Sequence, residues 1–97
     1  MIRGAAIFFL VLLAVHFGSP AESRSAPRRV VSIHLCADQL LLALADRGQI
    51  VSVSWLATDV RRSYMAKAAS GVRLNRGTAE EVVDLQPDLV LAGFRSA

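Results

Sequence analysis

The hydrophobic positions of this chain fall in short runs that alternate between strand and helix patterns. β-Branched residues occupy three of the four positions 30–33, and apolar and polar residues alternate over 50–55, so both stretches are predicted as strands. A third strand is predicted over 88–92, a short apolar run that follows a proline and ends at a glycine. The pattern therefore predicts three strands.

Helical patterns lie between these strands. Strong helix formers occupy 37–47, and a second helix is predicted over 60–70. Thr78 begins a Thr-x-x-Glu capping box, and the helix that it opens must end before Pro87. Strands separated by helices imply βαβ units with right-handed crossovers. The sequence thus predicts an α/β fold with a parallel sheet.

In parallel sheets, ligands bind beyond the carboxyl ends of the strands. This rule selects three loops, 34–38, 55–59 and 93–97, as candidate binding segments. Trp55 and Phe94 in these loops could stack on a large flat ligand. The other interpretation of Trp55 is a residue at the edge of the core.

Two pairs of like-charged residues are also candidates for function. Arg76 and Arg95 could face an anionic ligand or simply be solvated. Glu80 and Glu81 lie in the first turn of the third predicted helix, where carboxylates interact favourably with the helix dipole. That role is predicted for Glu81 and left open for Glu80.

His34 and Cys36 stand two positions apart in the first loop and are the candidates for metal binding or nucleophilic catalysis. Structural zinc sites have four ligands, so this pair is incomplete by itself. The alternative is a histidine that hydrogen-bonds within the loop and a cysteine that packs at a helix start. Glycine-rich nucleotide loops, Gly-x-Ser-x-Gly and His-Glu-x-x-His are absent from the sequence. We therefore do not expect an enzyme.

The amino-terminal residues 1–21 are predicted to be a secretory signal peptide. Arg3 is followed by an apolar stretch over 5–17, and small residues precede a cleavage site after Ala21. Thirteen helical residues span about 20 Å, short of the roughly 30 Å hydrocarbon core. A retained membrane anchor is the alternative. Residues 22–29 are predicted to be a flexible arm, and the exported product is expected in the periplasm.

Composition limits the remaining possibilities. The 97 residues suffice for one small domain, and the 54% hydrophobic content is raised by the leader. The formal net charge is +3, and the basic residues are dispersed, so no nucleic-acid partner is expected. The single cysteine cannot form an internal disulfide.

Three stretches together resemble a known family. They are Arg-Val-Val-Ser-Ile and the following Leu-Cys-Ala-Asp-Gln-Leu helix at 29–44, the strand at 50–55, and the segment 77–93, which contains Leu-Gln-Pro-Asp-Leu-Val. They resemble the start of periplasmic substrate-binding proteins of the helical-backbone class. These proteins serve ABC importers of vitamin B12, ferric siderophores and haem.

The resemblance implies a two-lobed protein in which a metal chelate lies between rigid lobes joined by a long helix. Residues 30–97 would form a partial amino-terminal lobe, and we expect the chain to be an amino-terminal fragment. The expected partners are the chelate (cobalamin, a ferric siderophore or haem) and the ABC permease, with no resident cofactor. Glu80 falls where the family places the acidic residue that docks on the permease. The candidate ligand-binding residues are Leu35, Cys36, Trp55, Arg76, Gly93 and Phe94.

Overall fold

The structure is a computed structural model that describes residues 25–94. The predicted signal peptide and Arg95 lie outside the described residues. Within residues 25–94, no helix combines the length and hydrophobicity that a membrane-spanning segment requires.

Four parallel strands form one sheet in the order β3-β2-β1-β4. Their bounds are Val30–Ser32 (β1), Ile50–Ser54 (β2), Arg73–Asn75 (β3) and Leu89–Leu91 (β4). β1 is central and pairs with β2 on one side and with β4 on the other. The predicted α/β fold with a parallel sheet is confirmed.

The sheet has one strand more than the three predicted. β3 is three residues long, and its first two residues are exposed. It therefore lacks the hydrophobic run from which a strand could be predicted. It pairs with β2 alone, with Leu74 opposite Val53 and Asn75 opposite Ser54. As an edge strand, β3 depends on this pairing more than on its own hydrophobicity.

Within residues 25–94, two α-helices, α1 (Leu35–Leu44) and α2 (Ala79–Asp84), accompany the sheet, with short 3-10 helices at Arg47–Gln49 and Trp55–Thr58. The helix predicted over 37–47 corresponds to α1, which begins two residues earlier and ends three residues earlier than predicted. Half of the predicted capping box of α2 is confirmed, since the Thr78 hydroxyl accepts a hydrogen bond from the Glu81 N–H at 3.3 Å. The Glu81 carboxylate accepts the Arg76 N–H and the Thr78 hydroxyl instead of the Thr78 N–H.

The prediction of a helix over 60–70 is wrong, because this segment forms a series of turns. The side chain of Gln39 in α1 explains the difference. Its Oε1 accepts the Met65 N–H at 2.8 Å, and its Nε2 donates to the Ser63 hydroxyl at 3.0 Å. A tertiary hydrogen bond thereby takes a backbone donor that a regular helix would use internally.

Arg47 fixes the other end of the same segment. Its guanidinium donates to the carbonyl oxygens of Ala68 and Ser70 at 2.7 and 2.9 Å. The chain then turns into β3 through Gly71, whose φ of +81° is readily adopted by glycine. Long-range polar contacts therefore replace helix formation between β2 and β3.

The main hydrophobic cluster lies between α1, β1 and β2. Its buried members are Val30, Leu41, Val53, Ala57 and Ala69. The chain moves from β1 through β2 to β3 in one direction and then returns past β1 to β4. Because crossovers between parallel strands are almost always right-handed, this reversal predicts α1 and α2 on opposite faces. The order reverses between β1 and β4, which is the topological switch point of the sheet.

Asp88 ties the start of β4 to the chain entering β1. Its carboxylate accepts hydrogen bonds from the backbone N–H groups of Arg28 and Arg29, at 2.8 and 2.9 Å. These bonds hold the pKa of Asp88 below its usual value of 3.8.

Asp88 is therefore expected to make stability depend on pH in the acid range. The pKa of Asp88 is lower in the folded chain than in the unfolded chain. Its contribution to the free energy of unfolding is therefore fully present above about pH 4, and it is lost as the pH falls through the pKa of the folded chain. Urea midpoints measured between pH 6 and pH 2 test this, and Asp88→Asn is expected to flatten the dependence. The exposed Asp84→Asn serves as control, and an equal flattening there would contradict this role.

Candidate ligand-binding edge

Ligands of parallel sheets bind at the edge formed by the carboxyl ends of the strands. In this sheet, one residue that lies one or two positions after each strand represents that edge. We call this set the carboxyl edge; in sheet order its members are Arg76 after β3, Trp55 after β2, His34 after β1 and Gly93 after β4. Three of them, Trp55, Arg76 and Gly93, are predicted ligand residues. The neighbouring strands bring them to one side of the fold.

Trp55 and Arg76 form a stacked pair on this edge. The Arg76 guanidinium carbon lies 5.7 Å from the centroid of the Trp55 ring, within cation–π distance. Trp55 is 49% exposed, so its indole is at the surface rather than within the core. The pair offers a flat aromatic surface beside five N–H donors suited to anionic oxygens.

Asn75 directly precedes Arg76 at the end of β3, and we did not predict it from the sequence. Its side chain is 1% exposed. The amide nitrogen donates to the Ser32 carbonyl at 2.9 Å, the Ser52 hydroxyl at 2.8 Å and the Val53 carbonyl at 3.1 Å. These contacts connect the carboxyl end of β3 to β2 and β1.

The other end of the Asn75 side chain shapes the turn that follows. Its Oδ1 accepts the Gly77 N–H at 3.0 Å, and Gly77 has a φ of +77°. An asparagine two residues before a glycine is the usual pattern of such an Asx turn. That pattern is the one signal in the sequence that could have revealed this residue.

A buried polar pair fixes α1 to the end of β2. Asp38 is fully buried, and its carboxyl oxygens accept the Ser54 N–H at 3.1 Å and the Ser54 hydroxyl at 2.5 Å. Ser54 directly precedes Trp55. The pair therefore joins α1 to the residue that precedes the indole, and sequence reasoning missed it as well.

His34 and Gly93 meet at the switch point between β1 and β4. The imidazole lies so close to Gly93 that a Cβ built there would overlap the ring. His34 is also the N-cap of α1, since its Nδ1 accepts the Cys36 N–H at 3.3 Å. Glycine is required at 93 by this close approach.

Gly93→Ala is expected to destabilise the fold by about 1–2 kcal/mol, because the imidazole must leave its capping position. Gly48→Ala is the matched control, since nothing lies within 4 Å of a Cβ there. Urea denaturation of both variants provides the comparison. His34→Ser keeps a capping side chain without the ring, so Gly93→Ala is expected to be tolerated in that background. An equal loss with and without the imidazole would contradict the explanation.

The capping bond also bears on the metal-site hypothesis for His34 and Cys36. Because Nδ1 accepts a hydrogen bond, the neutral imidazole carries its proton on Nε2. A metal needs the lone pair of one ring nitrogen, whereas here the Cys36 N–H occupies that of Nδ1 and the proton occupies that of Nε2. Among residues 25–94, no group of three or more metal-ligating side chains is arranged to hold an ion. Cys36 is an exposed free thiol in the first turn of α1.

The remaining candidates lie around the same edge. Leu35 is half-buried at the start of α1, and Phe94 is fully exposed just beyond β4. Glu80 is exposed in the first turn of α2, which begins shortly after the carboxyl end of β3. Glu81 accepts hydrogen bonds from the Arg76 N–H at 3.2 Å and from the Thr78 hydroxyl. These hydrogen bonds hold the Glu81 carboxylate at the start of α2.

A separate groove of about 200 Å³ lies between β3 and α2. It is lined by Arg73, Leu74, Glu81, Asp84 and Leu85. None of the six predicted ligand residues lines it, so this groove and the carboxyl edge are distinct surfaces.

Comparison with known proteins gives one similarity. No protein-family model matches the chain, and no solved structure matches it. Two curated proteins do, one from each of two strains of Halobacterium salinarum, and both are named cobalamin-binding protein. Each is 38% identical over 68 residues, which cover 70% of this chain and 18% of the relative. Over most of its length, the chain is thus similar to a limited part of a cobalamin-binding protein.

Proposed function

We propose that this chain supplies one wall of a cobalamin-binding site in the substrate-binding protein of an ABC importer. The similarity to cobalamin-binding proteins supports the ligand. The observation that carries the proposal is the Trp55–Arg76 pair, held half-exposed at the carboxyl edge of a parallel sheet. Such edges are where sheets of this kind bind their ligands.

The chemistry of the pair fits the chemistry of cobalamin. The corrin ring is broad and largely flat, so an indole can cover part of it by apolar contact. The ring carries carboxamide groups and a phosphodiester, whose oxygens can accept hydrogen bonds from Arg76. In this proposal Trp55 supplies contact area and Arg76 supplies orientation, without any chemical step.

Other predicted residues extend the same wall. Leu35 and Cys36 adjoin the switch point from α1, and Gly93 and Phe94 adjoin it from β4. A single wall encloses much less of a ligand than the 70–90% buried in typical closed sites. We therefore expect weak cobalamin binding by this chain. The matched part is also only 18% of the relatives' length.

Transport requires a second contact, which we assign to Glu80. Its exposed carboxylate can form charge-assisted hydrogen bonds with arginines of a permease. Glu80→Lys is the variant that tests this role in an uptake assay, and reduced uptake with unchanged cobalamin binding is the expected result. The exposed Asp84→Lys, in the same helix and with the same change of charge, is the control.

Export to the periplasm through the leader is also part of the proposal. Mass spectrometry of the protein recovered from the producing cells tests it, and an amino terminus at Glu22 is expected. A terminus that retains residues 1–21 would indicate the membrane-anchored alternative.

Trp55→Ala is expected to weaken cobalamin binding by about fivefold to thirtyfold, because a buried aromatic contact contributes on the order of 1–2 kcal/mol. Equilibrium dialysis of the full chain against cyanocobalamin measures this without relying on tryptophan fluorescence. Arg76→Gln is expected to give a smaller loss of cobalamin affinity. Binding of haemin and of a ferric siderophore is measured in parallel by the same dialysis.

Tyr64→Ala is the matched control, since Tyr64 is an exposed aromatic residue outside the carboxyl edge. An equal loss for Tyr64→Ala would show non-specific aromatic contact. The absence of saturable binding to any of the three chelates would overturn ligand binding by this chain.

A further inference from the structure

The turn segment between β2 and β3 presents an unusual surface, which we call the basic segment and define as residues 59–70. Two of its large side chains are almost fully exposed, Val60 at 84% and Tyr64 at 95%. Three of its exposed residues are cationic: Arg61, Arg62 and Lys67. The segment thus combines aliphatic, aromatic and positively charged groups at the surface.

The exposed side chains belong to an anchored piece of backbone. Ser63 and Ala69 of the segment are buried, at 4% and 0% exposure. Gln39 binds the first half of the segment through Ser63 and Met65, and Arg47 binds the second half through two carbonyl oxygens. The polar anchors face inward, so the segment holds its apolar and cationic side chains outward.

The positive charge of the segment is largely uncompensated. Arg62 lies 3.6 Å from the Asp59 carboxylate, an exposed pair of small energetic value. Within residues 25–94, no acidic side chain forms an ion pair with the side chain of Arg61 or Lys67, although Asp59 also accepts the Arg61 backbone N–H at 2.9 Å. The surface is therefore complementary to an anionic partner.

We propose that the basic segment docks this protein on the surface of an anionic phospholipid bilayer. Tyrosine suits the boundary between headgroups and hydrocarbon, because its ring is apolar and its hydroxyl is polar. Each Lys or Arg near such a surface adds attraction that salt screens. Val60 and Tyr64 contact the interface, and the three cations contact phosphate groups. This interaction is independent of the cobalamin proposal.

Vesicle co-sedimentation of the full chain tests the docking. We expect stronger partitioning on vesicles rich in phosphatidylglycerol than on pure phosphatidylcholine, and weaker partitioning as salt is raised. The double variant Arg61→Gln/Lys67→Gln is expected to lower partitioning on anionic vesicles by roughly 25-fold, about fivefold for each charge. Tyr64→Ser is expected to lower partitioning on the same vesicles.

The matched control is Arg28→Gln/Arg73→Gln, which removes two exposed cations outside the basic segment and changes the net charge equally. Far-ultraviolet circular dichroism confirms that each variant remains folded. Equal losses for the two double variants would overturn the proposal, because net charge alone would then explain binding. Equal partitioning of the wild-type chain on anionic and neutral vesicles would also overturn it, and would leave an acidic protein as the partner to examine.

Discussion

Asn75→Ala is expected to destabilise the fold by about 2–4 kcal/mol, one of the two largest effects that we predict. The substitution removes the donor to the Ser32 carbonyl, the Ser52 hydroxyl and the Val53 carbonyl, and the acceptor for the Gly77 N–H. Because the site is buried, water cannot readily replace these partners. β3 is an edge strand that loses its own side-chain links to β2 and β1, so we expect it to separate first.

Urea denaturation followed by circular dichroism measures this loss. Asn75→Asp is the sharper variant, because it keeps the shape and the acceptor for Gly77 but places an oxygen against two carbonyl oxygens. We expect it to be at least as destabilising as alanine. Ser70→Ala, an exposed polar residue, controls for a generic effect. A stable Asn75→Asp protein would contradict the hydrogen-bonding role.

The effect extends to the candidate site. Arg76 directly follows Asn75, and Trp55 follows β2, to which β3 pairs. Loss of the Asn75 contacts therefore frees Arg76 from its position 5.7 Å from the indole centroid. In a folded Asn75 variant, we expect the arginine contribution to cobalamin binding to disappear while that of Trp55 persists.

Local signals explain why much of the fold could be predicted. β1, β2 and β4 each contain consecutive or alternating apolar residues, and the strands were placed within one or two residues of their observed bounds. The Thr78 capping box likewise depends on residues three positions apart. These features require no knowledge of distant contacts.

Distant contacts explain the failures. The turns over 60–70 depend on Gln39 and Arg47, which lie more than twenty residues away from the groups that they bind. β3 is defined by its pairing with β2 rather than by hydrophobicity. Tertiary hydrogen bonding thus overrode a moderate helix propensity and created a strand with no sequence pattern.

The candidate site shows the same division. Trp55 could be identified from its place after a strand, and Arg76 from its charge. Their stacking could not be predicted, because it requires β3 to lie beside β2. The buried supports, Asn75 and Asp38, were also missed, since polar residues give no indication of burial by composition alone.

Asp38→Ala is expected to cost about 2–4 kcal/mol of folding free energy, since it leaves the Ser54 N–H and hydroxyl buried without an acceptor. Ser54→Ala is expected to cost less, about 1–2 kcal/mol, because its backbone N–H still reaches Asp38. Asp84→Ala, an exposed carboxylate in α2, is the control and is expected to be nearly neutral.

A double-mutant cycle separates this contact from general damage to the core. If the hydroxyl and carboxyl interact directly, the double variant loses less stability than the sum of the single variants, by about 1–2 kcal/mol. Additive losses would contradict direct coupling. Because Ser54 precedes Trp55, the same cycle read by cyanocobalamin dialysis distinguishes two roles. Coupling of the two substitutions in stability but not in affinity indicates that the Asp38–Ser54 contact only stabilises the fold. Coupling in affinity among folded variants indicates that α1 positions the indole for its ligand.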